Sequence, residues 1–338
     1  MKLTLAIAAL ATLAFAAPAT ARDQIRIVGS STVFPFAAAV AERFGKTTAF
    51  KTPVIESTGT GGGFKLFCAG VGEGHPDISN ASRAIKDSEA KTCAENGVTE
   101  ITEVKIGYDG IVIANSKDAP NFDLTVAQLW QALAKTVPVN GRLTANPYKM
   151  WSDIDPSLPA ATIEVFGPPP TSGTRDAFVE LVLDKGCAAF AEVEALGQDA
   201  EKATCQTVRE DGAFIEAGEN DNLIVQKLEA NSRSLGVFGF SFLDQNADKL
   251  RGSAIGGVTP TFEAIADGSY PVSRPLFIYV KNAHVGAVPG IADYVAEFVS
   301  DRAAGEDGYL ADKGLIPLPE AERKEVMERA RSMTPMTN

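Results

Sequence analysis

Three times in this chain an apolar strand runs into a turn of Ser, Thr and Gly that opens a helix. The turns are Gly29-Ser30-Ser31-Thr32 after QIRIV, Ser57 to Gly63 (STGTGGG) after VIE, and Thr171-Ser172-Gly173-Thr174 after TIEVFGPPP. The first N–H groups of a helix have no partner inside it, and the helix dipole is positive there. Glycine lets backbone approach a bound group closely. Together these features make an anion site, and parallel α/β sheets set such turns at the carboxyl ends of their strands. A single Ser or Thr in that place is ordinarily a helix cap. A cap uses one hydroxyl, and each of these turns offers two or more.

Strands alternate with helices through the rest of the chain, which gives an α/β class with mixed, mostly parallel sheets flanked by helices. The first helix carries Pro35 in its first turn and Phe36, Ala37, Val40, Ala41 and Phe44 on one face. NFDLTVAQLWQALAK is an amphipathic helix, a loop-rich stretch runs on to Pro159, and the helix after TSGT turns Phe178, Leu181 and Val182 inward. KIGYDGIVIANSK reads as a long apolar strand broken at Tyr108-Asp109-Gly110, and PVSRPLFIYVKN as a second one. Two long apolar strands, near 106–113 and 274–281, suit a hinge of two crossovers between two lobes. The expected boundaries are a signal segment at 1–21, lobe one at 22–109 and 277–338, and lobe two at 110–276.

The N-terminus supports the first boundary. Lys2 is followed by an apolar run, Leu3 to Ala17, and by Ala19-Thr20-Ala21, a small-x-small cleavage pattern. Cleavage near Ala21 makes the protein exported, with a periplasmic location expected. Of 338 residues, 317 remain, ample for two lobes. The formal charge of −12 becomes −13 without Lys2. That charge disfavours nucleic acid and anionic membrane surfaces as partners, and an anionic ligand must be held by local dipoles against the overall field. Four cysteines in an exported chain suggest two disulfides. Of three connectivities, Cys68–Cys93 and Cys187–Cys205 are favoured because each closes a short loop. With two histidines, His75 and His284, and no ligand spacing, no metal site or cofactor is expected.

Arg83 follows Ser82, and Arg175 follows Thr174. Guanidinium forks match tetrahedral oxyanions, and surface ion pairs are the plainer fate of both. Asp109 interrupts an apolar strand, where a carboxylate needs partners. It is either a turn residue or a site residue, paired with Arg83 or Arg175 or accepting a proton from a protonated oxyanion. The acceptor role favours phosphate over sulfate. GTGGGFK is neither a P-loop nor a dinucleotide fingerprint, and no nucleophile elbow occurs, so no enzyme is expected.

GSSTVFPF, STGTGGGFKLF, DISNASRAI, YDGIVI and SGTRDAF in this order resemble the PstS-type phosphate-binding proteins of phosphate ABC transporters. The resemblance covers most of the mature chain. It implies a two-lobed periplasmic binding protein fold of type II. It also implies inorganic phosphate as ligand, delivery to a membrane ABC permease, and a monomer. By position it assigns phosphate contacts to Thr32, Val33 and Phe34; to Thr60 and Gly61; to Ser82 and Arg83; to Asp109; and to Ser172, Gly173, Thr174 and Arg175. Two positions depart from the pattern. Some members have an aspartate where Arg83 stands, and many have an arginine where Pro168-Pro169-Pro170 runs. Asp109 then takes the acceptor role and Arg175 supplies the missing charge. The alternatives are a binding protein for sulfate, molybdate or tungstate, a permease-independent scavenging or adhesion protein, and a periplasmic phosphohydrolase.

Overall fold

A computed structural model describes residues 22–170, 172–218 and 221–337. The signal segment expected at 1–21 lies outside the described residues. β1 (Arg26–Gly29) pairs in parallel with β2 (Val54–Ser57) on one side and β3 (Ile78–Ala81) on the other. The strand Ser273–Lys281 lies antiparallel between β3 and β4 (Ile101–Ser116). β4 then pairs antiparallel with Leu235–Gly239, which leads in parallel to Val165–Gly167 and on to Phe214–Glu216. β4 is therefore shared: its first half pairs with Ser273–Lys281 beside the first parallel set, and its second half pairs antiparallel with Leu235–Gly239 at the start of the second.

The sequence suggested a break at Tyr108-Asp109-Gly110. β4 instead runs unbroken for 16 residues. Asp109 stays in the ladder because Arg274 is its register partner on the neighbouring strand. The irregularity falls nearby, as a bulge between Leu276 and Phe277 opposite Gly107 and Lys105.

Two large apolar cores follow the two halves. One gathers Ile27, Val40, Phe44, Val104, Leu276, Ile278, Tyr294 and Phe298. The other gathers Ile111, Ile113, Trp130, Val165, Phe178, Leu228 and Phe238. α1 (Phe34–Thr47) buries Phe36, Ala37, Val40, Ala41 and Phe44, the face its periodicity predicts. α2 (Thr60–Phe67) packs tightly on β1: a Cβ at Gly63 would stand 2.5 Å from the Gly29 Cα, so only glycine fits there. Both favoured disulfides are formed, Cys68–Cys93 and Cys187–Cys205. They close loops of 25 and 18 residues, each worth about 3 kcal/mol in the chain-entropy picture. No helix among the described residues is long and apolar enough to cross a membrane.

Candidate functional site

Two of the three hydroxyl-rich turns meet at one cavity of about 490 Å³. Thr32 and Phe34 enter from the β1–α1 turn, Asp109 from β4, and Ser172, Gly173 and Thr174 from the start of the helix Gly173–Phe178. The turns touch: Thr32 Oγ1 lies 3.5 Å from the Gly173 carbonyl oxygen. A Cβ at Gly173 would sit 3.0 Å from Ser31 O and from Thr32 Cα. Ser172 is the helix cap, accepting from the Thr174 N–H at 3.2 Å. That bond uses its oxygen as acceptor and leaves the hydroxyl hydrogen to donate.

The other candidates are placed differently. The Val33 N–H is directed to Ser30 Oγ at 3.4 Å and the Phe34 N–H to Ser30 O at 3.1 Å, so both serve their own turn. Thr60 and Ser82 are joined to each other: the hydroxyls are 3.0 Å apart and the Ser82 N–H donates to Thr60 Oγ1 at 3.1 Å. Gly61 faces open space, with nothing within 4 Å of a Cβ built on it. None of these three lines the cavity.

Neither expected arginine meets Asp109. Arg83 forms a two-pronged ion pair with Glu89, 2.8 Å on each prong. Arg175 donates to the Pro168 carbonyl at 3.1 Å and lies over the Phe214 ring, 4.7 Å from its centroid. The cation beside Asp109 is Arg274, on the opposite crossover strand, with Nε 3.5 Å from Asp109 Oδ2. Arg274 also donates to Thr32 Oγ1 at 2.7 Å and pairs with Glu180. It is 8% exposed, as is Asp109. Burial pushes the Asp109 carboxyl up, opposed by Arg274 and reinforced by the charge of Glu180.

Three further charged groups line the cavity: Asp221, Asp312 and Lys313. Asp221 opens the helix Asp221–Ala230 and accepts from the Gly239 N–H at 3.1 Å. Burial, with help from the charge of Asp109 and against that hydrogen bond, pushes it up to about 6. A larger neighbouring cavity, about 580 Å³, is walled by Asp244, Glu306, Asp307 and Asp312 and has no lysine or arginine in its lining. It suits no anion. Among the described residues no cluster of three or more His, Cys, Asp or Glu could hold a metal ion.

Two cores, a shared pair of crossover strands and a polar cavity where two helix starts meet define a solute-binding protein of the two-lobed kind. Residues 14–302 match the PBP superfamily domain. The phosphate-binding protein PstS of Staphylococcus saprophyticus is 32% identical over 88% of this chain and 81% of its own length. Protein SphX of Synechococcus elongatus is 31% identical over 90% of this chain and 80% of its own. A crystal structure of a possible phosphate binding protein from Planctomyces limnophilus superposes with a TM-score of 0.72 at 28% identity, covering 92% of this chain and 98% of that one. The chain belongs to the PBP superfamily and, within it, to the PstS-type phosphate-binding proteins.

Proposed function

We propose that this protein captures inorganic phosphate in the cavity between its lobes and hands it to a membrane ABC permease. It acts as an exported, monomeric periplasmic protein that binds without turning its ligand over. The lobes comprise 22–109 with 277–338, and 110–276. The contact set proposed is Thr32, Ser172, Gly173, Thr174 and Asp109, with Arg274 behind them, and, from outside the present cavity lining, Thr60, Gly61 and Ser82. Neither half satisfies an anion alone, so the ligand favours the closed arrangement by differential contact.

The observation that carries this reading is Asp109 in the wall of the cavity. A carboxylate beside an anion repels it unless the ligand brings a proton to place between them. Near neutral pH phosphate carries one and sulfate does not. The test is calorimetry on protein unfolded and refolded to strip carried ligand, titrated with phosphate, then sulfate, then molybdate. One-to-one phosphate binding with sulfate silent is expected, and Asp109→Asn is expected to narrow the gap. Heat from sulfate or molybdate with phosphate silent would overturn the phosphate reading and leave the fold standing.

A further inference from the structure

The cavity holds a second buried carboxylate that proton selection by Asp109 alone does not require. Asp221 is 6% exposed and stands beside Gly239, at the carboxyl end of the strand Leu235–Gly239. Gly239 is in register with Ile111 of β4. Asp109 lies two residues from Ile111 on β4, in the direction in which the 235–239 strand runs out. The two carboxylates therefore share one mouth, where the second sheet opens into the cavity, and both line it.

Resting on the phosphate reading, we propose that Asp221 is a second specificity-determining residue, and that phosphate is bound as the doubly protonated monoanion, with one proton toward Asp109 and one toward Asp221. The argument is one of proton count. A deprotonated phosphate oxygen against a carboxylate oxygen is a contact between two acceptors, repulsive in a dry site. Each carboxylate that touches the ligand needs one hydrogen in between, so two carboxylates need two. Above neutral pH dissolved phosphate carries mostly one, and the second comes from solvent: HPO₄²⁻ and one H⁺ become bound H₂PO₄⁻. No covalent bond to phosphorus forms or breaks.

The surrounding charges agree with a monoanion. Asp221 shares the cavity with Asp109 on β4, which is paired with Arg274 and through it with Glu180, and with Asp312 and Lys313 on the 311–314 turn. Among the described residues that line the cavity, three carboxylates stand against one lysine. Such a wall disfavours a dianion. The carboxyl of Asp221 already holds its proton more firmly than an ordinary aspartate does.

The test is proton uptake. Phosphate is titrated into the full mature chain at pH 8 in two buffers of different ionisation enthalpy, and the difference in heat gives the protons bound. About one proton taken up per phosphate is expected, and the Kd should weaken about tenfold per pH unit above neutrality. Asp221→Asn should keep one-to-one binding while uptake falls toward zero and the pH slope flattens. A residue that merely held the Gly239 N–H would move neither reading. Phosphate binding by the unaltered protein without uptake overturns the proposal whatever the variant does, as does full uptake in Asp221→Asn. Absence of phosphate binding in the unaltered protein would instead remove the phosphate reading itself.

Discussion

Asp109 and Arg274 show how a single residue's role is set by what stands across from it. Asp109 was visible in the sequence because a carboxylate inside an apolar strand is expensive without partners. Arg274, inside VSRPLFIYV, carries the same signal. Only the antiparallel register that sets it opposite Asp109 makes the two a pair, and a register is written in neither strand alone. As partners for Asp109, Arg83 and Arg175 mislead for a local reason. Each follows a site hydroxyl in sequence, but its side chain is engaged elsewhere, on Glu89 and on the Pro168 carbonyl. Arg274→Ala leaves Asp109 buried with no counter-charge, so the ligand-free fold should lose about 3 kcal/mol. Phosphate affinity should fall with it, since Thr32 loses the donor that orients its hydroxyl. Thermal melting and calorimetry read the two effects; an unchanged melt would mean that the pair contributes nothing.

At the scale of the element, the turn before a helix decides what the helix start can hold. The sequence treated the three Ser/Thr/Gly turns alike. The structure separates them: the turns at 29–32 and 172–174 face each other, while Thr60 of the third is tied to Ser82. Helix starts are local and were legible; which of them meet depends on long-range pairing and was not. Inside the stretch read as loop-rich up to Pro159, the structure forms a hairpin, Thr136–Val139 with Arg142–Ala145; its signal was Asn140-Gly141, whose positive φ angles of 51° and 74° suit a tight turn. The helix Glu320–Arg331 left little trace because its sequence, EAERKEVMERAR, has almost no apolar face. Gly173 permits the close approach of the two turns. Gly173→Val should force them apart and cost ~1–3 kcal/mol of the closed arrangement. Calorimetry should show weaker phosphate binding, with the melting temperature of the ligand-free protein little changed. Equal affinity would show that the turns need not touch.

For the whole molecule, a site built for an anion is a cost to the empty fold. Burial raises the Asp221 carboxyl from the ordinary aspartate value of 3.8 to about 6. Between those values the folded state holds more protons than the unfolded one, so stability falls as pH rises from about 4 to about 6 and stays lower above that window. The full shift corresponds to about 3 kcal/mol. Asp221→Asn should therefore raise the melting temperature of the ligand-free protein at pH 8 and change it little at pH 4. A gain of equal size at both pH values would show that the charge is not the cause. The two-lobed plan was legible because long apolar strands and alternating elements are chain-wide patterns. Of the cavity wall, Thr32, Phe34, Asp109 and Ser172 to Thr174 were named through the family resemblance, while Asp221, Asp312 and Lys313 were not, because the cavity is a meeting of distant segments.

The strand Ser273–Lys281 sits between β3 and β4 in space and near the end of the chain in sequence. A chain emerging from an export channel in order would present β1, β2 and β3 long before the strand that belongs beside them. Until residue 273 and its successors arrive, β3 has an unpaired edge bearing the buried side chains of Ser79 and Asn80. Such an edge invites pairing with other chains, and contacts this far apart in sequence form slowly. The first lobe thus begins at the first described residues of the chain and is finished almost last. On the export reading proposed above, the late arrival of this strand, rather than the depth of either core, would set when the protein can first hold its ligand.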